Sequence, residues 1–187
     1  MPPKQKITKN DVLNSAFEIV RREGVENLNA RNIAKNLHCS TQPIFTCYEN
    51  MNDLKTDVFE MANRYHKNYF NKIETGSDIF LNAGIAYVEF ALEEANLFRF
   101  LFMSGNFCGK QLGEFVEDDC NNHIASGMPA FVEKASPAAQ AVFTDMWLYA
   151  HGIATMLVTN QLAFDKDQIK VMLIRVFERL VENLPNR

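Results

Sequence analysis

Residues 39–50 read CSTQPIFTCYEN. A stretch with two cysteines, a proline, two aromatics and several small polar residues suits a loop, half a metal site or a short helix. The preceding residues, ARNIAKNLH at 30–38, choose among these. Ile33, Ala34 and Leu37 recur at helical spacing, a tight break follows at His38-Cys39, and Ile44 with Cys47 begins a second apolar row. The pattern predicts two short amphipathic helices joined by a three- to four-residue turn. That is a helix-turn-helix, whose second helix enters a DNA major groove by its N-terminal end.

The proline is no obstacle to this reading. With Ser40 as N-cap, Pro43 is expected at N3, where a backbone N–H has no intrahelical partner anyway. Cys39 and Cys47 are expected on the inward face as small hydrophobes. Thr41, Gln42, Pro43 and Thr46 then face outward as short, uncharged side chains. Glutamine can pair with adenine, and threonine can touch a purine or the thymine methyl. None of the four cysteines, Cys39, Cys47, Cys108 and Cys120, forms a C-x-x-C with another, so no zinc module is expected.

Working outward, helical punctuation continues nearly throughout. Thr8 with Asp11 makes a capping box, Val12, Leu13, Ala16, Phe17 and Val20 form one stripe, and Arg21 and Arg22 precede a stop at Gly24. The helix before the turn is expected from about Asn29 to Leu37. A long helix is expected from Asp53 to about Ile73. Another, capped by Ser77 or Asp78, is expected to run to about Ala95, ahead of the apolar piece LFRFLFM. Glycines and Pro129 break up 105–135. Ser136-Pro137 then opens a helix to about Gln161. The last helix, 167–184, carries Ile169, Met172, Leu173, Val176, Phe177, Leu180, Val181 and Leu184. A stripe that wide implies packing beyond its own domain. The expected class is all-α, with a DNA-binding head at 1–52 and a larger helical domain at 53–187.

Composition agrees. The 187 residues are 47% hydrophobic and 22% charged, as in ordinary globular domains. Apolar runs are too short or interrupted for a membrane span. The polar start, MPPKQKITKN, lacks a signal peptide's apolar core, so a cytoplasmic protein is expected. Residues 1–55 carry eight Lys and Arg against six Asp and Glu, whereas the rest carries eleven against seventeen. A basic head on an acidic body suits a nucleic-acid-binding module joined to a different domain.

With a first helix ending at Gly24, then LNARNIAKNL, STQPIFTCYEN and the Asp53-Leu54 start of a long helix, the chain resembles the tetracycline-repressor (TetR) family. Ser40, Ile44, Phe45 and Tyr48 satisfy that family's recognition-helix pattern. The run WLYAHGIA at 147–154, with ALEEANLFRFLF, resembles a subgroup carrying a Trp…His-Gly signature. The resemblance implies a dimeric repressor whose heads read a palindromic double-stranded operator and whose bodies hold a small-molecule effector. The helices at 137–161 and 167–184 would pair two copies. DNA contacts are expected from Asn29, Arg31, Ser40, Thr41, Gln42, Pro43, Phe45, Thr46 and Lys55, with Lys4, Lys6 and Lys9 adding charge. His38 stands where glycine is usual in the turn, and Phe45, Cys47 and Met51 replace a common tyrosine, histidine and lysine.

Trp147 and His151 lie four apart, on one helical face; core packing and ligand contact are both open for them. Phe98, Phe102, Met103, Phe107, Phe115 and Met128 are core by default, yet some of these aromatics and methionines are expected to line an apolar pocket. Glu117, Asp118, Asp119, Cys120 and His123 read as an acidic loop, so no metal or other cofactor is expected. No Gly-rich phosphate loop, G-x-S-x-G or H-E-x-x-H occurs, so the chain is not expected to be an enzyme. One rival reading is a helical small-molecule carrier or enzyme retaining a vestigial head, which would bind DNA weakly and without sequence preference. Another is a DNA-organising partner with a filled body.

Overall fold

A computed structural model of the chain describes residues 7–70, 79–105, 137–160 and 165–182, and every regular element among them is helical. In chain order they are α1 (Lys9–Glu23), a 3-10 turn (Val25–Asn27), α2 (Ala30–Asn36), α3 (Gln42–Cys47), α4 (Met51–Phe70), α5 (Ile79–Glu93) and α6 (Ala95–Phe98). A π-helical turn at Arg99–Met103 follows, then α7 (Pro137–Asn160) and α8 (Lys166–Glu182). The chain divides into two compact units: Met1–Lys67 with Glu94–Asn106, and Asn68–Glu93 with Phe107–Arg187.

In the first unit α1 starts and stops by local rules. The Thr8 hydroxyl accepts from Asp11 N–H, and the Asp11 carboxylate accepts from Thr8 N–H at 2.8 Å, closing the capping box. Gly24 ends the helix at φ 92°, a conformation that a side chain resists, and its N–H donates to Val20 O. Of the expected stripe Val12, Ala16, Phe17 and Val20 are buried, joined by Ile19, while Leu13 is half-buried. A cluster of asparagines turns the chain toward α2. Asn29 caps α2 by accepting from Asn32 N–H at 3.0 Å, while Asn32 Nδ2 donates to Asn27 O at 2.8 Å. Buried Ser15 accepts from Asn36 Nδ2 at 3.1 Å, tying α1 to α2.

The same unit holds a polar clamp. Arg21 Nε donates to both oxygens of buried Glu94, at 3.0 and 2.8 Å, and Tyr65 Oη donates to Glu94 Oε1 at 2.7 Å. Asn96 Nδ2 donates to Arg21 O at 3.1 Å, and the guanidinium lies 5.0 Å from the Tyr65 ring centre. Burial alone would raise the Glu94 carboxyl, but the hydrogen bonds from Arg21 and Tyr65 outweigh it and hold it below its ordinary value. The helix expected to end at about Ala95 ends at Glu93, with Glu94 at the break before α6.

In the second unit α5, α7 and α8 pack against one another. Val142, Phe143, Met146, Ala150, Ile153, Ala154, Leu157 and Val158 form the buried side of α7. The stretch Gln140–Asn160 has the length and composition to cross a membrane, yet this row is packed inside the unit as in a core helix. Of the wide stripe on α8, Ile169 and Leu173 are buried; Met172, Val176, Phe177, Leu180 and Val181 are half-buried. Leu184 lies outside the described residues.

Candidate nucleic-acid interface

The turn between α2 and α3 is a Schellman motif. Cys39 N–H donates to Ala34 O at 2.9 Å and His38 N–H to Lys35 O at 3.2 Å, the two bonds that close such an end. The motif needs a left-handed residue between them, and His38 takes it at φ 52° where glycine is easiest. After the turn, Ile44 is the fully buried residue of α3. It fixes the short helix against α1 and α2, which both contact it.

The start of α3 corrects the sequence expectation by one residue. Thr41, not Ser40, stands at the cap, already helical at φ −73° and ψ −16°, and its carbonyl accepts from Ile44 and Phe45 N–H. Pro43 consequently sits at N2 rather than N3. The Schellman turn extends through Cys39, which leaves Ser40 in the link and delays the first helical carbonyl. The proline stays harmless because N2 also lacks an intrahelical acceptor. Cys39 and Cys47 are half-buried, so the inward placement expected for them is only partial.

Around Ile44 the helix turns its other side chains outward. Ser40, Gln42, Phe45 and Thr46 are exposed, and Thr41 and Pro43 half-buried. Arg31 and Asn29 are exposed at the start of α2, and Lys55 is half-buried on α4. Asn29 spends its side-chain oxygen on its own helix cap. Lys9 pairs with Asp57 at 3.0 Å and lies 4.5 Å from the Tyr48 ring centre. Tyr48 Oη donates to the same carboxylate at 2.9 Å, which binds α1, the end of α3 and α4 into one frame. Burial and the Asp57 carboxylate push the Tyr48 hydroxyl well above its ordinary pKa, and bonds from Lys9 and Tyr48 hold Asp57 low. An open groove of roughly 850 Å³ runs beside α3, lined by Ile7, Asp11, His38, Ser40, Gln42 and Thr46 among others. Lys4 and Lys6 lie outside the described residues.

The expected pocket residues fall into separate groups. Phe98 is buried, Phe102 lies tilted to it at 5.2 Å between ring centres and edge-on to His66 at 5.1 Å, and Met103 is exposed; all are in the first unit. Trp147 and His151 are in the second unit, stacked at 5.0 Å with ring planes 14° apart. His151 Nδ1 lies 2.9 Å from Tyr87 Oη. Burial lowers the His151 pKa, which favours the neutral ring. Tyr87 escaped the sequence reading, although a tyrosine amid the apolar run AGIAYVEF signals a hydroxyl in need of a partner. Phe107, Phe115, Met128, Cys108, Cys120 and His123 lie outside the described residues. Among the described residues no His, Cys, Asp and Glu come together in a group able to hold a metal.

Solved structures share this fold. A TetR-family member from Streptomyces coelicolor A3 superposes with a TM-score of 0.65 at 13% identity, covering 90% of this chain and 96% of its own. A TetR transcriptional regulator from Rhodococcus sp. RHA1 gives 0.56 at 13%, covering 94% and 95%. The multidrug-binding protein EbrR complexed with imidazole gives 0.58 at 12%, covering 90% and 93%. No protein-family model and no curated protein matches the sequence. At these identities the likeness establishes the fold alone: the chain is built on the all-α fold of TetR regulators.

Proposed function

We propose that this protein is a cytoplasmic, sequence-specific DNA-binding transcriptional regulator, a repressor released from its operator by a small-molecule effector. The observation that carries the reading is α3: a six-residue helix anchored by buried Ile44, with Gln42, Phe45 and Thr46 presented outward. So short a helix gains little stability from its own hydrogen bonds. Its neighbours hold it by the Schellman turn and the Tyr48–Asp57–Lys9 frame, as a rigid reading head requires. Arg31 and Lys55 would supply contacts to a guanine and to phosphates.

The residues proposed for the head are 1–52, and the remainder is proposed to hold the effector and pair two copies. The pairing is supported by α7, where Leu148, Gly152 and Met156 form an exposed row at four-residue spacing. An added Cβ at Gly152 would meet nothing within 4 Å, so the backbone is open to close approach. The stacked Trp147–His151 pair with Tyr87 is the aromatic group we propose for effector contact, and a neighbour described as multidrug-binding supports such a role. The effector would favour a spacing of the two heads that no longer fits the half-sites. By reciprocity the operator weakens effector binding by the same factor. Selection of binding sites from random duplex DNA tests the reading. Enrichment of a palindrome is expected; a pool that stays random would overturn it.

A further inference from the structure

The reading side of α3 is short of hydrogen-bond donors. The helix, QPIFTC, carries no charged residue. Pro43 has no N–H to offer. Thr46 Oγ1 donates to Gln42 O at 3.0 Å, so its hydroxyl hydrogen is spent inside the helix, leaving a methyl group and oxygen lone pairs. Phe45, half-way along, is 51% exposed although it is the largest apolar side chain of the element. Residues three and four apart share a helix face, so Phe45 and Thr46 both neighbour Gln42. The result is one amide flanked by apolar surface.

In the major groove this combination has one natural complement. A side-chain amide pairs with adenine N6 and N7, and the apolar feature that distinguishes one base from another is the C5 methyl of thymine. Resting on the DNA-binding reading above, we infer that Phe45 is a specificity residue that recognises a thymine methyl next to the base pair read by Gln42. The rival outcome for an exposed phenylalanine, docking of another protein, would leave the methyl irrelevant. Half-exposure of Phe45 and the full burial of neighbouring Ile44 mean that the ring can be removed without unpacking α3.

The test replaces each thymine of the selected duplex by deoxyuridine, one at a time, which deletes only the methyl. The full chain is titrated by fluorescence anisotropy against each duplex. One or two positions should bind about fourfold more weakly when the methyl is lost, the equivalent of about 0.8 kcal/mol for one methyl-sized group returned to water. That thymine-to-uracil ratio should fall to one in Phe45→Ala, persist in part in Phe45→Leu, and persist in Gln42→Ala. Equal binding of every uracil duplex, or a ratio that survives Phe45→Ala, overturns the inference while leaving sequence-specific binding intact. A selection that yields no preferred duplex overturns the DNA-binding reading and this inference together.

Discussion

Helices α3 and α7 both leave large apolar side chains uncovered, Phe45 at 51% on one, Leu148 and Met156 at 47% on the other. The surroundings differ. The six residues of α3 hang on one buried side chain and two flanking turns, and its exposed aromatic stands beside an amide. The 24 residues of α7 bury a full row along their length, and the exposed row of Leu148, Gly152 and Met156 continues that apolar character around the helix. An isolated aromatic beside a polar group suits reading a mixed surface such as a base-pair edge. A continuous row with a glycine in it suits a second, like helix.

The largest effects should separate the anchor of α3 from its face. Ile44→Ala should cost about 2–4 kcal/mol of stability, the usual loss for a fully buried large aliphatic side chain, and abolish DNA binding with it. Phe45→Ala should leave the urea midpoint unchanged. Equal destabilisation by both would mean that α3 is held by something other than Ile44. On α7, the double change Leu148→Glu with Met156→Glu should halve the mass seen by light scattering without altering the helical circular dichroism. A dimer that persists would move the pairing surface elsewhere.

A middle-sized effect comes with pH. His66, in the first unit, is held by burial, and less by Lys67, at a pKa of about 3 against an ordinary 6.5. The unfolded chain takes up a proton below pH 6.5 that the folded ring refuses, so stability should fall as pH drops from 6.5 toward 3. The slope for this one proton approaches about 1.4 kcal/mol per pH unit. Half-buried His151, also depressed, adds in the same direction. Below about 4.5 the lowered Glu94 pKa adds a further loss, as its clamp with Arg21 is protonated away. Urea midpoints at pH 7.5 and 5.5 should therefore differ, and His66→Gln should remove a large part of the difference. An unchanged slope in that variant would contradict the assignment.

The smallest expected effect lies in the turn. His38→Gly should stabilise by up to about 1 kcal/mol, the relief of a left-handed φ offset by the greater freedom of glycine in the unfolded chain. A loss on thermal unfolding would mean that the imidazole makes a contact worth more than its strain.

What sequence could convey follows from range. The Thr8–Asp11 box and the Gly24 stop involve partners within four residues, and local spacing reveals them. The start of α3 slipped by one because the Schellman turn drew on residues that could equally have capped the next helix. The break after Glu93 falls within two residues of the helix end expected at about Ala95. It coincides with a carboxylate held by Arg21, 73 residues away, a pairing that only the folded chain brings about. Likewise the 64 residues between Tyr87 and His151 put their contact beyond any local pattern, although Trp147 and His151 were legible as neighbours on one face.

The central claim is that α3 reads bases while flanking cations hold the backbone. The direct measurement is anisotropy titration of the selected duplex and its single-base variants, at two salt concentrations, with Gln42→Ala and Lys55→Ala. Gln42→Ala should cost about 1–3 kcal/mol and relax preference at one base position with the salt slope intact. Lys55→Ala should weaken all sequences alike and lower that slope by about one. Equal losses from both variants on every duplex would contradict the assignment of α3 as the reading helix.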